Sequence, residues 1–407
     1  MVTPSMLSDS VLHIPSAAGP RWVEIDLDAV KHNVLQVKKT LRQSTKFMAV
    51  VKADAYGCGA VEVSQAVLEA GADMLGVTTV DEGVELRAHG IEAPILVFSP
   101  VVSGEGQLFS EYRLTATVAG ESSVDELVRA SENDPIAVHL KVDTGMNRIG
   151  IGPDGVSSAV GYIKQFSQLY LEGMYTHLAT TSSDAPFAQK QFQLFQEAAG
   201  SLKQSLDVPL LHVCNSAAAV DFPHMHLDMV RIGTLLYGQM PFGRHKRLEL
   251  KDPWQVRARI LHVKSVPSGE SVGYGRDYTV KRNTRVGIIP LGFSDGLGVS
   301  PVMRPKNLLD MLKMLIKTVL AYLGKETGTP LVSANGKRIR VLGRVGMQMT
   351  AVDLTGFNLN EGDTVTVCLR RTNAGSRLPR VFLAEKRIRS IRIPAGYVRG
   401  EREYYTG

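Results

Sequence analysis

Eight short apolar segments constrain this chain more than any other feature. They lie at 46–52, 74–79, 94–99, 113–118, 136–143, 170–178, 210–216 and 229–235, and each reads as a buried strand. Most of the gaps between them carry helical periodicity, as over Val61–Ala70, Val80–His89 and Val124–Ala130. Eight β/α alternations within roughly 220 residues predict a (β/α)8 TIM-type barrel. In such a barrel the chemistry gathers at the C-terminal ends of the strands. The polar residues that interrupt those ends are Lys52, Lys141 with Arg148, His177, Asn215 with Ser216, and Arg231. One barrel mouth should hold them all.

Outside this rhythm the texture changes. Residues 1–20 are polar and irregular, a flexible lead-in, and Trp22–Leu27 alternates like a strand, with Asp28 placed to cap the next helix. The barrel domain is expected over 21–250. Beyond it, β-rich stretches at Trp254–Val266, Arg285–Leu291, Lys337–Arg344 and Thr364–Leu369 are punctuated by Gly and Pro. They predict a mainly β domain over 251–396, followed by a tail at 397–407. Leucines and valines at 3/4 spacing mark a helical insertion at about 303–329.

Composition narrows the class. A chain of 407 residues with 44% hydrophobic and 21% charged residues suits a globular enzyme of two domains. The net charge of +6 is mildly basic. Its clusters at Arg244–Arg247 and around Arg370–Arg389 lack interleaved aromatics, so they read as solvated faces and no nucleic-acid partner is expected. Cys58, Cys214 and Cys368 are isolated, which fits a reducing compartment and suggests no metal site. No apolar run approaches the ~18 residues of a membrane span, and residues 1–19 lack the features of a signal peptide. A cytoplasmic location with no membrane partner is expected.

The stretch Phe47–Ala60 stands out. Its Val-rich run ends on Lys52, followed by small residues, Tyr56 and two glycines. A lysine alone in that setting more often marks where a strand surfaces. At the end of a buried parallel strand, however, an ammonium is poorly solvated and tends towards a nucleophilic amine. Such an amine forms a Schiff base with an aldehyde, pyridoxal 5'-phosphate (PLP) being the usual one.

Several stretches in order settle which kind of chain this is. Ala49–Ala60 resembles the PLP motif of alanine racemases. The resemblance continues through Trp22–Leu27, His139–Gly150, Glu172–His177, Cys214–Ala218, Val230–Thr234 and Gly273–Gly275. It implies a PLP-binding barrel followed by a β domain. It further implies that Lys52 carries PLP and acts as the base on one face of the substrate. Tyr56, Ser216 and the backbone N–H groups of Gly233 and Thr234 would bind the cofactor phosphate. Arg231 would face the pyridine nitrogen; cationic and donor-only, it would leave that nitrogen unprotonated and keep the carbanion short-lived, limiting transamination. Tyr274 would be the second base, on the opposite face. A tyrosine is a poor base unless neighbours draw off its proton, and His177 would link it to Arg231. In the family this tyrosine comes from a partner subunit, so the resemblance implies a head-to-tail homodimer with composite sites. Arg148 would hold the substrate carboxylate, a carbamylated Lys141 would position Arg148, and the Met347 backbone amide would touch the small amino-acid substrate. Taken alone, Ser216 reads equally as a helix cap and His177 as a core histidine.

Four departures concern the substrate side. Gly346-Met347-Gln348 replaces the usual Cys-Met-Asp, Phe293 stands for a tyrosine, Ser376 for another, and the 303–329 insertion is extra. PLP chemistry is therefore expected to persist with an altered or broadened substrate range, alanine being the default and serine another option. The alternatives are a related barrel decarboxylase and a non-catalytic PLP-binding protein. Arg231 and the lack of a Gly-rich phosphate loop argue against the first, and Tyr274 against the second.

Overall fold

The computed structural model describes residues 18–131, 135–181, 183–200, 210–240, 248–299, 305, 307–322, 330–371, 374–375, 377–394, 397–398 and 401–402. Residues 1–17, Arg244–Arg247, Ser376 and most of the expected tail lie outside them. The chain forms two compact units. One spans Asp26–Pro253; the other joins 18–25 to the residues after Pro253.

The first strand, β1 (Arg21–Asp26), belongs to the second unit. Four successive residues of it, Trp22–Ile25, are buried, so it is a central strand and not the alternating strand expected. The barrel unit accordingly begins at Asp26 instead of residue 21, and ends at Pro253 instead of 250. Asp26, not Asp28, caps the following helix Leu27–Lys38: its Oδ1 accepts from the Ala29 N–H at 2.9 Å.

Eight parallel strands make the barrel. They are β2 (Lys46–Val50), β3 (Met74–Val77), β4 (Ile95–Pro100), β5 (Thr115–Val118), β6 (Ile136–Lys141), β7 (Leu169–Tyr175), β8 (Leu210–His212) and β9 (Met229–Ile232). Pairing runs β8-β7-β6-β5-β4-β3-β2-β9. The seam between β9 and β8 is joined by Asp228 N–H to the Leu211 carbonyl at 3.1 Å and Arg231 N–H to the Cys214 carbonyl at 2.9 Å. Each expected strand is found, and most end early, before the polar residues at the barrel mouth. Helices cover the outside, among them Ala60–Glu69, Val80–Ala88 and Glu121–Ala130. Inside, Met48, Met74, Leu96, Tyr175 and Met229 pack together. Burying each such side chain contributes about 1.5–3 kcal/mol.

The second unit is antiparallel. Its strands after Pro253 are β10 (Trp254–Arg259), β11 (His262–Val266), β12 (Ser271–Val272), β13 (Tyr278–Thr279), β14 (Thr284–Ile289), β15 (Val332–Ala334), β16 (Lys337–Ile339), β17 (Thr350–Asp353), β18 (Thr364–Val367), β19 (Arg380–Ala384) and β20 (Arg387–Arg392), with a short pair, β21 (Tyr397–Val398) and β22 (Glu401–Arg402), in the expected tail. A seven-stranded sheet orders them β16-β15-β18-β10-β1-β19-β20, beside a three-stranded sheet β11-β14-β17. The stretch Trp254–Val266 thus divides between two sheets. Within the expected insertion, a helix runs Leu308–Tyr322 and leaves Leu308, Leu309, Leu315 and Ile316 at least half exposed. No helix among the described residues is long and apolar enough to cross a membrane.

Candidate active site

A cavity of about 530 Å³ opens at the C-terminal ends of the barrel strands. Its lining includes Lys52, Tyr56, Lys141, Arg148, His177, Ser216, Arg231, Gly233 and Thr234. Nine of the residues expected at the site therefore meet in one place. Tyr274 and Met347 belong to the second unit, where they are 94% and 63% exposed. The cavity gathers four basic side chains, and no carboxylate is among the described residues that line it. It is built for anions.

Lys52 lies two residues past the end of β2 and opens an unusual turn. Ala53, Asp54, Ala55 and Tyr56 all have φ between 51° and 56°, a left-handed turn of non-glycine residues. Each costs roughly 1–2 kcal/mol against the right-handed form. Hydrogen bonds from Ala55 N–H to the Val51 carbonyl at 2.7 Å and from Gly57 N–H to the Ala53 carbonyl at 2.9 Å close it. Glu82 braces it from outside, its carboxylate accepting from Ala53 N–H at 2.5 Å and Thr78 N–H at 2.7 Å. The turn swings Tyr56 inward against Tyr237, ring centroids 4.7 Å apart. Burial raises the Tyr56 hydroxyl above its ordinary range, keeping it a neutral donor.

Opposite Tyr56, Gly233 N–H donates to Ser216 Oγ at 2.9 Å. Asn215, not Ser216, caps the helix Ser216–Asp221, accepting from Ala218 N–H at 3.0 Å. The Ser216 hydroxyl is left to face the cavity.

Arg231 forms the floor and is 4% exposed. It donates to the carbonyls of Thr176 at 2.8 Å, His212 at 3.0 Å and Val213 at 3.2 Å. It also reaches Nδ1 of His212 at 3.0 Å and Nδ1 of His177 at 3.4 Å. Burial lowers the guanidinium to about 10, so it remains a cation at neutral pH. Burial, with Arg231 close by, lowers His177 to about 2 and keeps that imidazole neutral.

Arg148 stands on a loop that Asp143 organises. The Asp143 carboxylate accepts from the N–H groups of Gly145 at 2.9 Å, Met146 at 2.9 Å, Asn147 at 3.1 Å and Arg148 at 3.2 Å. Lys141 lies beneath, its Nζ 4.6 Å from the centre of the Tyr175 ring. Burial and the cations Arg231 and Arg148 push it down to about 6.

Sequence reasoning missed Asp143, Glu82, Glu172, His139, Tyr175 and His212. The signal for His139 was present, since it lies two residues before Lys141 and shares its face of β6.

A barrel whose mouth offers a lysine, two hydroxyls and a buried arginine, in a chain with a separate β unit, fits a barrel-type amino-acid racemase. The comparisons agree. Residues 25–241 match the alanine racemase N-terminal domain and residues 254–388 the C-terminal domain. The chain belongs to the alanine racemase family. It is 36% identical to the alanine racemase of a Nostoc species, over 85% of this chain and 86% of that one. It is 35% identical to that of Methanococcus maripaludis, over 86% and 88%. The solved alanine racemase of Clostridium difficile 630 superposes with a TM-score of 0.79 at 28% identity, covering 92% of this chain and 98% of that one. That of Bacillus anthracis, with bound L-Ala-P, gives 0.77 at 28%, covering 92% and 97%.

Proposed function

We propose that this chain interconverts L- and D-alanine with PLP held in the barrel cavity. The observation that carries the reading is the cavity's four basic side chains, with Arg231 fixed on its floor and Lys52 at its rim. The residues fit the cofactor. Gly233 has no side chain where a Cβ would lie 2.6 Å from Tyr56 Oη, which opens a cradle beside the Tyr56 and Ser216 hydroxyls, with the Gly233 N–H donating to Ser216 Oγ. Hydroxyl and amide donors suit a phosphate.

When bound, PLP would supply the electron sink that makes an amino acid's α-proton removable. The protein does the rest. Lys52 takes or returns the proton at Nζ on one face. Tyr274 Oη does so on the other, from a partner copy in a homodimer with composite sites. Arg231, a donor that stays cationic, presents no acid to the pyridine nitrogen. Arg148 binds the substrate carboxylate, and His177 offers Nε2–H, because its Nδ1 faces the Arg231 donor. Lys141, whose ammonium gives up its proton easily, is ready to take up CO2 as a carbamate, releasing a proton and placing a negative charge beside Arg148.

Deuterium exchange at the alanine α-carbon in D2O tests the assignment. Lys52→Ala should abolish exchange, and undiminished exchange would sink the reading.

A second reading, a broader substrate range, has its own support. The two stretches that depart from the family pattern lie together: Phe293 N–H donates to the Gly346 carbonyl at 2.9 Å and Ser294 Oγ to the Met347 carbonyl at 2.7 Å. A racemisation panel over the proteinogenic amino acids, read by chiral chromatography, separates the two. Turnover confined to alanine removes the second.

A further inference from the structure

Behind Arg231 a line of buried polar groups runs through the barrel interior. His212 Nε2 lies 2.8 Å from His139 Nδ1, and His139 Nε2 lies 3.2 Å from Glu172 Oε2. With Arg231 Nη1 3.0 Å from His212 Nδ1, the series Arg231–His212–His139–Glu172 is continuous.

Its direction follows from the chemistry of its ends. A guanidinium only donates, so His212 Nδ1 must present a lone pair to Arg231. Both imidazoles are fully buried, and burial holds each below its ordinary range, so each is neutral and carries one proton. The His212 proton is therefore on Nε2 and points at His139 Nδ1. The His139 proton is on Nε2 and points at Glu172. A carboxylate only accepts, so the far end demands the same arrangement. The hydrogen bond from His139 holds Glu172 below the usual carboxylate range. Among the described residues no carboxylate pairs with Arg231 directly, and this series is its link to one.

The backbone is shaped for the arrangement. Register shifts between Val138 and His139, which pair with Leu171 and Gly173, so Glu172 is the extra residue of a β-bulge. A bulge re-aims a side chain, and this one brings Glu172 to the His139 ring. Gly173 gives the ring its room, since a Cβ there would lie 2.5 Å from it. Tyr175 stacks on His212 at 4.9 Å and 8°, and its hydroxyl lies 2.9 Å from Thr117 Oγ1.

We propose that Glu172, through His139 and His212, is a positioning residue for Arg231: it fixes both imidazole tautomers so that a lone pair meets the guanidinium. This rests on the reading that Arg231 faces the cofactor ring, but the tautomers can be read without it. Remove the carboxylate and His139 is free to move its proton to Nδ1. In the molecules where it does, His212 follows and an N–H confronts the Arg231 N–H, so Arg231 is left to select the tautomers alone and both forms become populated.

Nitrogen-15 NMR of histidine-labelled protein, with and without PLP, tests the arrangement. His139→Gln and His212→Asn serve to assign the signals. Both Nδ1 atoms should be unprotonated and both Nε2 atoms protonated. Glu172→Ala should shift both histidines, change the absorbance band of bound PLP, and lower kcat roughly ten- to hundredfold with little change in KM. Glu172→Gln keeps an acceptor oxygen without the charge, so it should retain the tautomers and lose less activity. A protonated His212 Nδ1 in the unaltered protein would overturn the proposal. So would a Glu172→Ala protein whose imidazole signals stay in place, whatever its activity.

Discussion

Gly233 leaves free the volume that the Tyr56 hydroxyl fills: a Cβ at Gly233 would lie 2.6 Å from Tyr56 Oη. Tyr56 has little freedom to retreat, because its ring packs on Tyr237, whose hydroxyl is tied to the Val50 carbonyl at 3.0 Å. Gly233→Ala should therefore weaken PLP binding about tenfold or more, the effect of one displaced charge-assisted hydrogen bond, while the barrel stays folded. Equilibrium dialysis against PLP reads the loss, with circular dichroism checking the fold. Unchanged affinity would remove Tyr56 from the phosphate site.

Lys141 carries a pH signature. Its ordinary value is 10.5 and its folded value about 6. The unfolded lysine keeps its proton across that window while the folded one does not, so unfolding takes up a proton. Stability should climb with pH from about 6 upward, and Lys141→Met should flatten the climb. Urea unfolding in CO2-free buffer measures it. Carbon-13 bicarbonate should add a carbamate resonance that Lys141→Met lacks. Parallel pH slopes for the two proteins would contradict the burial argument.

Much of this was legible in the residues. The β/α rhythm located all eight barrel strands, since parallel strands buried on both faces must be apolar throughout. The polar residues closing those strands marked the mouth. The left-handed turn at Ala53–Tyr56 was hidden, because Ala-Asp-Ala-Tyr has no local preference for it and Glu82, a distant residue, holds it. Glu172 was hidden for a related reason: strict alternation places it on the face opposite Gly173, and only the bulge brings it round. The first strand was assigned to the barrel by its position in the chain, whereas long-range pairing of Val23 with Val256 puts it in the other unit. Local pattern finds elements; it does not reveal tertiary braces.

Composite sites make a sharp prediction about mixtures. Lys52→Ala and Tyr274→Phe proteins should each be inactive alone. If Tyr274 works from a partner copy, a mixed dimer holds one complete site and one doubly defective site. Random re-assortment of equal amounts should then restore about a quarter of the unaltered activity. If Tyr274 serves its own chain, every site in the mixture lacks one base. Denaturing and refolding the two proteins together, then assaying racemisation, decides between them.

Asp143 offers the clearest separation of binding from chemistry. It touches no part of the cavity, yet it gathers four successive N–H groups, from Gly145 to Arg148, onto one carboxylate. Burial raises its pKa, but these hydrogen bonds outweigh burial and leave it below the usual carboxylate range. The stability they contribute is present above the unfolded value and is lost as pH falls through the folded one. If Arg148 holds the substrate carboxylate, then without that anchor it must be ordered anew each time substrate binds. Asp143→Ala should raise KM for alanine about tenfold with a smaller change in kcat, and Asp143→Asn, which keeps one acceptor oxygen, should fall between. Steady-state kinetics in both directions measures the split. A kcat loss larger than the KM change would mean that Asp143 supports the chemical step instead of the grip on the carboxylate.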